Sequence, residues 1–355
     1  MPDKVTSASV IHWFRRDLRI ADNLALSHAA KPALPVVPVY ISSEWQNSHS
    51  WTGPNRQHFL CQSLESLARN LETLDGRLII RQGKAVDVLR QLIKESHAVA
   101  LHFNADPDPF GKSVENAVRQ LCAELGVECH AHADAALHGP HEVLTQSALP
   151  YRVYTPYSKN WLGLPKASPV AKPKTLRTPA HLSSLPLPTV AIWGLEIPQT
   201  EMVAPGERAA RERLKQAISG KIQLYSAKRD FPAQNGTSRI SQDLRYGLVS
   251  IRTVFAEAMK ARAAADLLDP QRTTPQGRSR PLRHVVVDAE EVDGLLDERE
   301  VVARPVLGRR GRIQRRRTAE RMDAPERIED VATRARPQGD APGDVPTGPV
   351  RRAPG

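Results

Sequence analysis

The chain has 355 residues, with 50 Lys+Arg against 39 Asp+Glu and a formal net charge of +11. Hydrophobic residues make up 40% and charged residues 25%, which describes a soluble globular chain with enough apolar material for a core and a length that suits two domains. No apolar run approaches the roughly 18 residues that a membrane span needs. The N-terminus MPDKVTSASV has no apolar signal core, and three cysteines (Cys61, Cys122, Cys129) cannot build a disulfide framework, so a cytoplasmic location is expected; a monomer is expected as well. The basic balance suits an anionic partner such as nucleic acid.

From the N-terminus, short apolar runs rich in branched residues fall at 10–14, 34–41, 78–81, 98–103 and 127–130 and predict buried strands. Helical spacing separates them. Leu60, Leu64, Leu67, Leu71 and Leu74 lie on one face, as do Val86, Leu89, Leu92 and Ile93, and then Val114, Val118, Leu121 and Leu125. Gly126 stands where the last of these helices needs a C-cap. Strands alternating with helices imply parallel pairing through right-handed crossovers, an α/β domain with a doubly wound, mainly parallel five-stranded sheet over residues 8–135.

Residues 136–205 are expected to form an interdomain connection: Leu164 and Pro205 bracket a stretch with eight prolines and little periodicity. A helical pattern then begins at 206, with Ala209, Ala210, Leu214, Ala217 and Ile218, followed by Leu244, Val249, Val254 and Met259, and it stops near 264. Two such helices are too few to bury a core by themselves. From 271 onward the chain has eighteen Arg and no Lys, Phe, Trp or Tyr, whereas residues 1–270 have thirteen Lys, nineteen Arg and every aromatic. Residues 265–355 are therefore expected to be a largely disordered, Arg/Pro-rich tail.

Several motifs bear chemistry. His12-Trp13-Phe14-Arg15-Arg16-Asp17-Leu18-Arg19, then Asp22-Asn23, follows the first strand, where open α/β sheets bind ligands. Its arginines and aspartates suit either a binding surface or an ion-pair network that fixes the loop. No Gly-x-Gly-x-x-Gly follows the strand, so a dinucleotide fingerprint is absent. Thr237, Ser238 and Ser241 offer hydroxyls before a helix starting near Ser241, an arrangement that suits either simple capping or a diphosphate cradle. His130 and His132 would share one strand face, but no Cys or second carboxylate completes a metal set, and no metal site is expected. Cys122 and Cys129 are expected as small buried packers. The cluster of arginines between Arg309 and Arg317 reads as a solvated charge run.

The order of these motifs resembles the DNA photolyase/cryptochrome family. The opening Trp13-Phe14-Arg15-Arg16-Asp17-Leu18-Arg19 with Asp22-Asn23 and Ala25-Leu26 is similar to the family's first signature. Gly53-Pro54-Asn55-Arg56 with Phe59-Leu60 resembles the start of its first long helix, and Asn104 with Asp106-Pro107 its fourth-strand loop. Pro150-Tyr151-Arg152-Val153-Tyr154-Thr155-Pro156-Tyr157 and Trp161 resemble the exit from the α/β domain. Gly206-Glu207, Ala210, Leu214, Tyr225, Arg229-Asp230, Thr237-Ser238-Arg239-Ile240-Ser241 and Leu244-Arg245-Tyr246-Gly247 resemble the entry to its all-helical FAD-binding domain. The resemblance covers residues 8–262.

It implies FAD as cofactor, held here by Tyr225, Thr237, Ser238, Arg239, Ile240 and Ser241, with Arg229 on the DNA-facing side. It also implies an antenna in the α/β domain, methenyltetrahydrofolate or a deazaflavin, although Phe110-Gly111 occupies the loop where folate-binding relatives show Asn-Glu. The implied activity is light-driven repair of cyclobutane pyrimidine dimers in DNA by electron transfer from reduced FAD, a carbon–carbon lyase reaction in which the cofactor carries the chemistry. The alternatives are a cryptochrome-like blue-light photoreceptor without repair, or a non-catalytic α/β module. No catalytic residue is assigned. In the family, the helices that surround the isoalloxazine and supply its photoreducing tryptophans come after the position of Val254, and residues 265–355 hold no Trp and no match to them. Repair by the chain as written is therefore expected to be impaired. A shift of reading frame in a GC-rich gene near codon 265, or an acquired tail, each account for the change in composition.

Overall fold

The computed structural model describes residues 8–42, 53–139, 141–228, 230–231 and 233–268; residues 265–268, expected to open the tail, instead continue the last helix, and the rest of the expected tail lies outside the described residues. All five predicted strands are present: β1 (Ser9–Phe14), β2 (Val36–Ser42), β3 (Ile79–Gln82), β4 (Ala98–Asn104) and β5 (Glu128–His132). Every pairing is parallel and the order is β3-β2-β1-β4-β5. Helices α1 (Leu24–Ala29), α2 (Pro54–Glu72), α3 (Ala85–Ser96) and α4 (Pro109–Leu125) make the crossovers. Leu34 and Pro35 fall just outside β2, where the Pro35 carbonyl accepts the Val10 N–H at 2.9 Å.

Strand alternation divides the core between the two faces of the sheet. Val10, Phe14, Val36, Tyr40 and Ile80 pack with α1 and α2 through Leu26, Phe59, Leu64, Leu67 and Leu71. Ile11, Trp13, Val37, Val39, Leu101 and Phe103 pack with α3 and α4 through Leu89, Leu92, Val118 and Leu121. Each buried Leu or Phe contributes about 1.5–3 kcal/mol by leaving water. The helix ends follow their sequence cues. Asn23 caps α1 by accepting the Leu26 N–H at 3.0 Å, and the Asp108 carboxylate caps α4 by accepting the Gly111 N–H at 2.6 Å. Gly126 closes α4 in the left-handed region at φ 66°.

Within residues 136–205 the chain forms α5 (Tyr154–Gly163) and a 3₁₀ turn at Val190–Trp193, and it also covers a sheet edge. Ile80 of the edge strand β3 donates its N–H to Ser184 Oγ at 2.9 Å and accepts from Leu185 N–H at 3.0 Å. Leu176 and Leu182 are buried, one in each core. The cover takes up both ladder groups of Ile80 at this edge, which shortens the stretch open to intermolecular pairing.

Beyond residue 205 come α6 (Glu207–Gln216), a π turn (Ala217–Lys221), α7 (Ile222–Lys228), α8 (Ser241–Arg245) and α9 (Ile251–Leu268). These helices bury Ala210, Leu214, Ile240, Leu248, Val249, Ile251 and Val254 in the same core as α2 and β1. The sharing explains how so short a helical segment finds a partner for its apolar face.

Candidate cofactor-binding site

The loop after β1 lies at the switch point of the sheet, where the strand order reverses between β1 and β4. Its cations are used internally. Arg15 Nη1 stands 2.5 Å from Glu115 Oε1, and Arg16 bridges Asp106 Oδ1 at 3.2 Å and Asp108 Oδ2 at 2.8 Å. Asp17 accepts the Arg15 N–H at 2.7 Å, the Asn104 amide at 2.7 Å and the Asn23 amide at 2.9 Å, with His12 Nε2 at 3.6 Å. Burial works against its charge, but His12, the Arg15 N–H and Arg19 together hold the carboxyl down at about 2. Asp106 moves the other way: burial raises its pKa despite Arg16 and Arg15. Of the two readings that the sequence allowed for this loop, the ion-pair network is the one observed.

The same loop holds the helical segment. Arg19, Asp22, Asp134 and Arg252 are all nine-tenths buried or more. Arg19 donates to the Asp22 carbonyl at 2.7 Å and pairs with Asp134. Arg252 of α9 donates to Asp22 Oδ1 at 3.0 Å and to Asp134 Oδ1 at 2.5 Å. Ser250 and Thr253 hydroxyls donate to Asp22 Oδ2, and Val170 N–H reaches Asp22 Oδ1 at 2.8 Å. Burial opposes the charge on Arg19, yet Asp134 raises its pKa overall. Two arginines and two aspartates thus form a balanced, desolvated clamp. Glu207, at the start of α6, adds a second tie by accepting the Ile20 N–H at 2.9 Å and the Ala21 N–H at 3.2 Å.

Gly247 is where the two parts touch most closely. It adopts φ 63°, and a Cβ there would run into the Arg16 carbonyl oxygen and the Asp17 Cα. Arg19 Nη1 donates to its carbonyl at 3.0 Å. The expected result of Gly247→Ala is a loss of about 2 kcal/mol or more, read as a lower urea midpoint, because strain and a backbone clash coincide.

Tyr225 lies half-buried on α7, in the helix that precedes the hydroxyl loop. Thr237, Ser238, Arg239, Ile240 and Ser241 are consecutive residues leading into α8, and Arg229 lies outside the described residues. Ile240 is buried and anchors the loop in the core shared with α2. Arg239 is left-handed at φ 55°, and its carbonyl accepts the Gln242 side-chain amide at 2.7 Å. Behind the loop, Arg213 forks onto the buried Asp243, Nε to Oδ2 at 2.9 Å and Nη2 to Oδ1 at 2.5 Å. Burial raises the Asp243 pKa, with Arg213 opposing.

The predicted helix start at Ser241 is present, but α8 has only five residues and no side-chain cap. Its dipole is correspondingly small, so an anion here would depend on hydroxyl and backbone donors. Thr237 and Ser241 are exposed and Ser238 is half-buried, and none of their hydroxyls bonds another described residue. A loop anchored beneath by Ile240 and presenting three hydroxyls that no other described residue engages has donors of the kind that the diphosphate of a dinucleotide cofactor needs. Among the described residues, nothing corresponds to the isoalloxazine-contacting elements that the resemblance places after Val254.

Two features escaped the sequence. Arg252 and Asp134 meet across 118 positions, and no local pattern announces their pairing. The strand register sets His12 opposite His102 and His102 opposite His130. His132 Nε2 stands 3.0 Å from His102 Nδ1, with the two rings stacked, and His28 of α1 leans on His132 at a tilt of 44° with ring centroids 4.7 Å apart. The shared face of His130 and His132 was legible from alternation, whereas the contribution of α1 and β4 was not. Among the described residues, no group of three or more His, Cys, Asp or Glu has the geometry of a metal site.

A doubly wound α/β domain clamped through buried ion pairs to a helical segment defines a two-part architecture. The DNA photolyase family model matches residues 10–176. An uncharacterised 31.6 kDa protein of Synechococcus sp. (strain PCC 6716) is 33% identical over 253 residues, 71% of this chain and 89% of that protein. A deoxyribodipyrimidine photo-lyase of Agrobacterium fabrum is 35% identical over 257 residues, 70% of this chain and 53% of its own length. The crystal structure of a class III photolyase from Agrobacterium tumefaciens superposes with a TM-score of 0.71 at 30% identity, covering 84% of this chain and 61% of that one. The chain belongs to the DNA photolyase/cryptochrome family. It spans a little over half the length of these two photolyases, and no described helix is long and apolar enough to cross a membrane.

Proposed function

We propose that the chain binds FAD and is a photolyase by descent, made for light-driven repair of cyclobutane pyrimidine dimers in DNA, with repair impaired in the chain as written. The observation that carries this reading is the loop from Thr237 to Ser241, held over the core by Ile240, with none of its three hydroxyls bonded to another described residue, in a chain of this family. In this reading Thr237, Ser238 and Ser241 donate to the cofactor's phosphate oxygens. The Arg239 guanidinium adds charge on the exposed side, and Tyr225 packs from α7. The chemistry supplied by the bound cofactor is a photo-driven electron loan that opens the cyclobutane ring. Arg229 engages the DNA backbone, within a chain whose net charge of +11 favours a polyanion.

The clamp of Arg19, Asp22, Asp134 and Arg252 supports the reading mechanically, because it sets the cofactor loop rigidly on the α/β domain. An antenna, methenyltetrahydrofolate or a deazaflavin, belongs to the same proposal, and chromatography of the chromophores extracted from purified protein tests it. The compartment proposed is the cytoplasm and the state a monomer, which size measurement in solution tests.

The deciding experiment records visible absorption and flavin fluorescence of the full chain after gel filtration, followed by dimer repair under blue light. Flavin that co-elutes with the protein is the expected result. Replacing Ser238 by alanine is expected to weaken its retention by about tenfold to a hundredfold, since a hydrogen bond to a charged group contributes about 1.5–3 kcal/mol. Bound flavin without repair would favour a photoreceptor, and a colourless, folded protein would reduce the chain to a non-catalytic module.

A further inference from the structure

Cys122 and Cys129 have no part in the reading above, and the fold brings them together. Cys122 lies in the last turn of α4 on its buried face. The chain reverses at Gly126, whose N–H bonds the Ala123 and Cys122 carbonyls, and Val127 N–H returns to the Cys122 carbonyl at 2.9 Å. Cys129 enters β5 opposite Leu101 of β4. Strand alternation turns it, with Ala131, toward α4 and away from the histidine face, and it packs on the cluster that contains Cys122, Val118 and Leu121. The partners are unequal: Cys122 is fully buried, while Cys129 is half-buried on the sheet's outer strand.

We propose that Cys122 and Cys129 are a reversible dithiol–disulfide pair, with Cys129 the attacking thiol and Cys122 the resolving one, responding to low-molecular-weight disulfides. The reactivities are ordered to suit these roles. The neighbouring Cys122 thiol, with Arg119 nearby, outweighs burial and brings Cys129 down to about 7. The same contact, with burial, raises Cys122. Cys61 stands apart on α2, where burial pushes it up to about 11. Only Cys129 therefore combines access with an appreciable thiolate fraction near neutral pH.

The exchange balances without a further reagent. Cys129 thiolate attacks one sulfur of the small disulfide, whose S–S bond breaks and releases one thiolate, leaving a mixed disulfide. Cys122 loses its proton and attacks Cys129 Sγ, and the second small thiolate leaves. One small disulfide is reduced to two thiols, one protein dithiol becomes a disulfide, and the two thiol protons pass to the leaving groups. The product ties the end of α4 to β5, whose continuation delivers Asp134 to the clamp.

The test equilibrates the purified full chain with mixtures of oxidised and reduced glutathione, quenches with acid, unfolds the protein, alkylates the remaining thiols and maps the peptides. Cleavage after Glu124 or Glu128 separates the two cysteines in sequence. The expected result is a disulfide-joined peptide pair in oxidised samples, reversed by reduced glutathione, with Cys61 alkylated throughout. In Cys122→Ser, Cys129 should instead accumulate the glutathione adduct, and in Cys129→Ser, Cys122 should stay alkylatable only after unfolding. Three alkylatable thiols in fully oxidising glutathione, or a stable adduct on Cys129 of the unsubstituted chain, would overturn the proposal.

Discussion

Arg252→Ala is expected to cost about 3–5 kcal/mol of folding stability, a large part of the 5–15 kcal/mol that holds a typical domain. The guanidinium is 3% exposed, as are the side chains of both its carboxylate partners. Removing it leaves Asp22 and Asp134 sharing a single cation, Arg19, in a site that water does not reach. The lost attraction is the smaller part of the effect; the larger is a desolvated carboxylate left without a counter-charge.

Charge balance makes the explanation testable against simple loss of packing. Arg252→Met combined with Asp134→Asn keeps the volume and removes one charge of each sign, so it should recover much of what the single change loses. Urea unfolding of both variants measures this. A single variant within about 1 kcal/mol of the parent would show that the clamp does not hold the helical segment. Because the clamp also holds the helical segment that carries the proposed cofactor loop, flavin retention by Arg252→Ala should fall together with stability.

The second large effect concerns acid. Burial, then His130, His132, His12 and His28, holds His102 down at about 3, and burial with His28, His12 and His130 holds His132 at about 4, against the help of Asp134. The ordinary value for an unfolded imidazole is about 6.5. Between these limits the unfolded chain binds protons that the folded chain refuses, so stability falls as pH drops below about 6.5 and continues to fall to about 4 for His132 and about 3 for His102.

Two protons at about 1.36 kcal/mol each set a maximum slope of about 2.7 kcal/mol per pH unit. Asp17 has the opposite sign of shift but the same consequence, lower down. Its carboxylate, held at about 2, contributes stability that is present above the ordinary carboxylate range and is lost as pH falls through about 2. Urea midpoints measured from about pH 7 to about pH 4 should decline steadily, and His132→Asn should flatten the curve. A midpoint independent of pH over that range would mean that the imidazoles protonate in place.

Much of this protein was legible before any coordinates. Five apolar runs and the 3-and-4 spacing of leucines fixed an alternating α/β domain, because the period of a buried strand and that of a half-buried helix are dictated by local geometry. Gly126 closed α4 as expected, since a left-handed C-cap favours a residue without Cβ. The order of short motifs led to the family, and Thr237 to Ser241 stood out as hydroxyls ahead of a helix start.

The tertiary structure decided what depends on residues far apart in the chain. Whether Arg15, Arg16 and Arg19 faced a ligand or their own carboxylates rested on Glu115, Asp108 and Asp134, about a hundred positions away. The use of residues 176–185 to cover the edge of β3 left no periodicity to detect, because those contacts run through single backbone groups and one serine hydroxyl. The histidine stack needed the register of three strands and the placement of α1. Periodicity is a local property and survives in the sequence, whereas charge compensation and register arise only when the chain has folded back on itself.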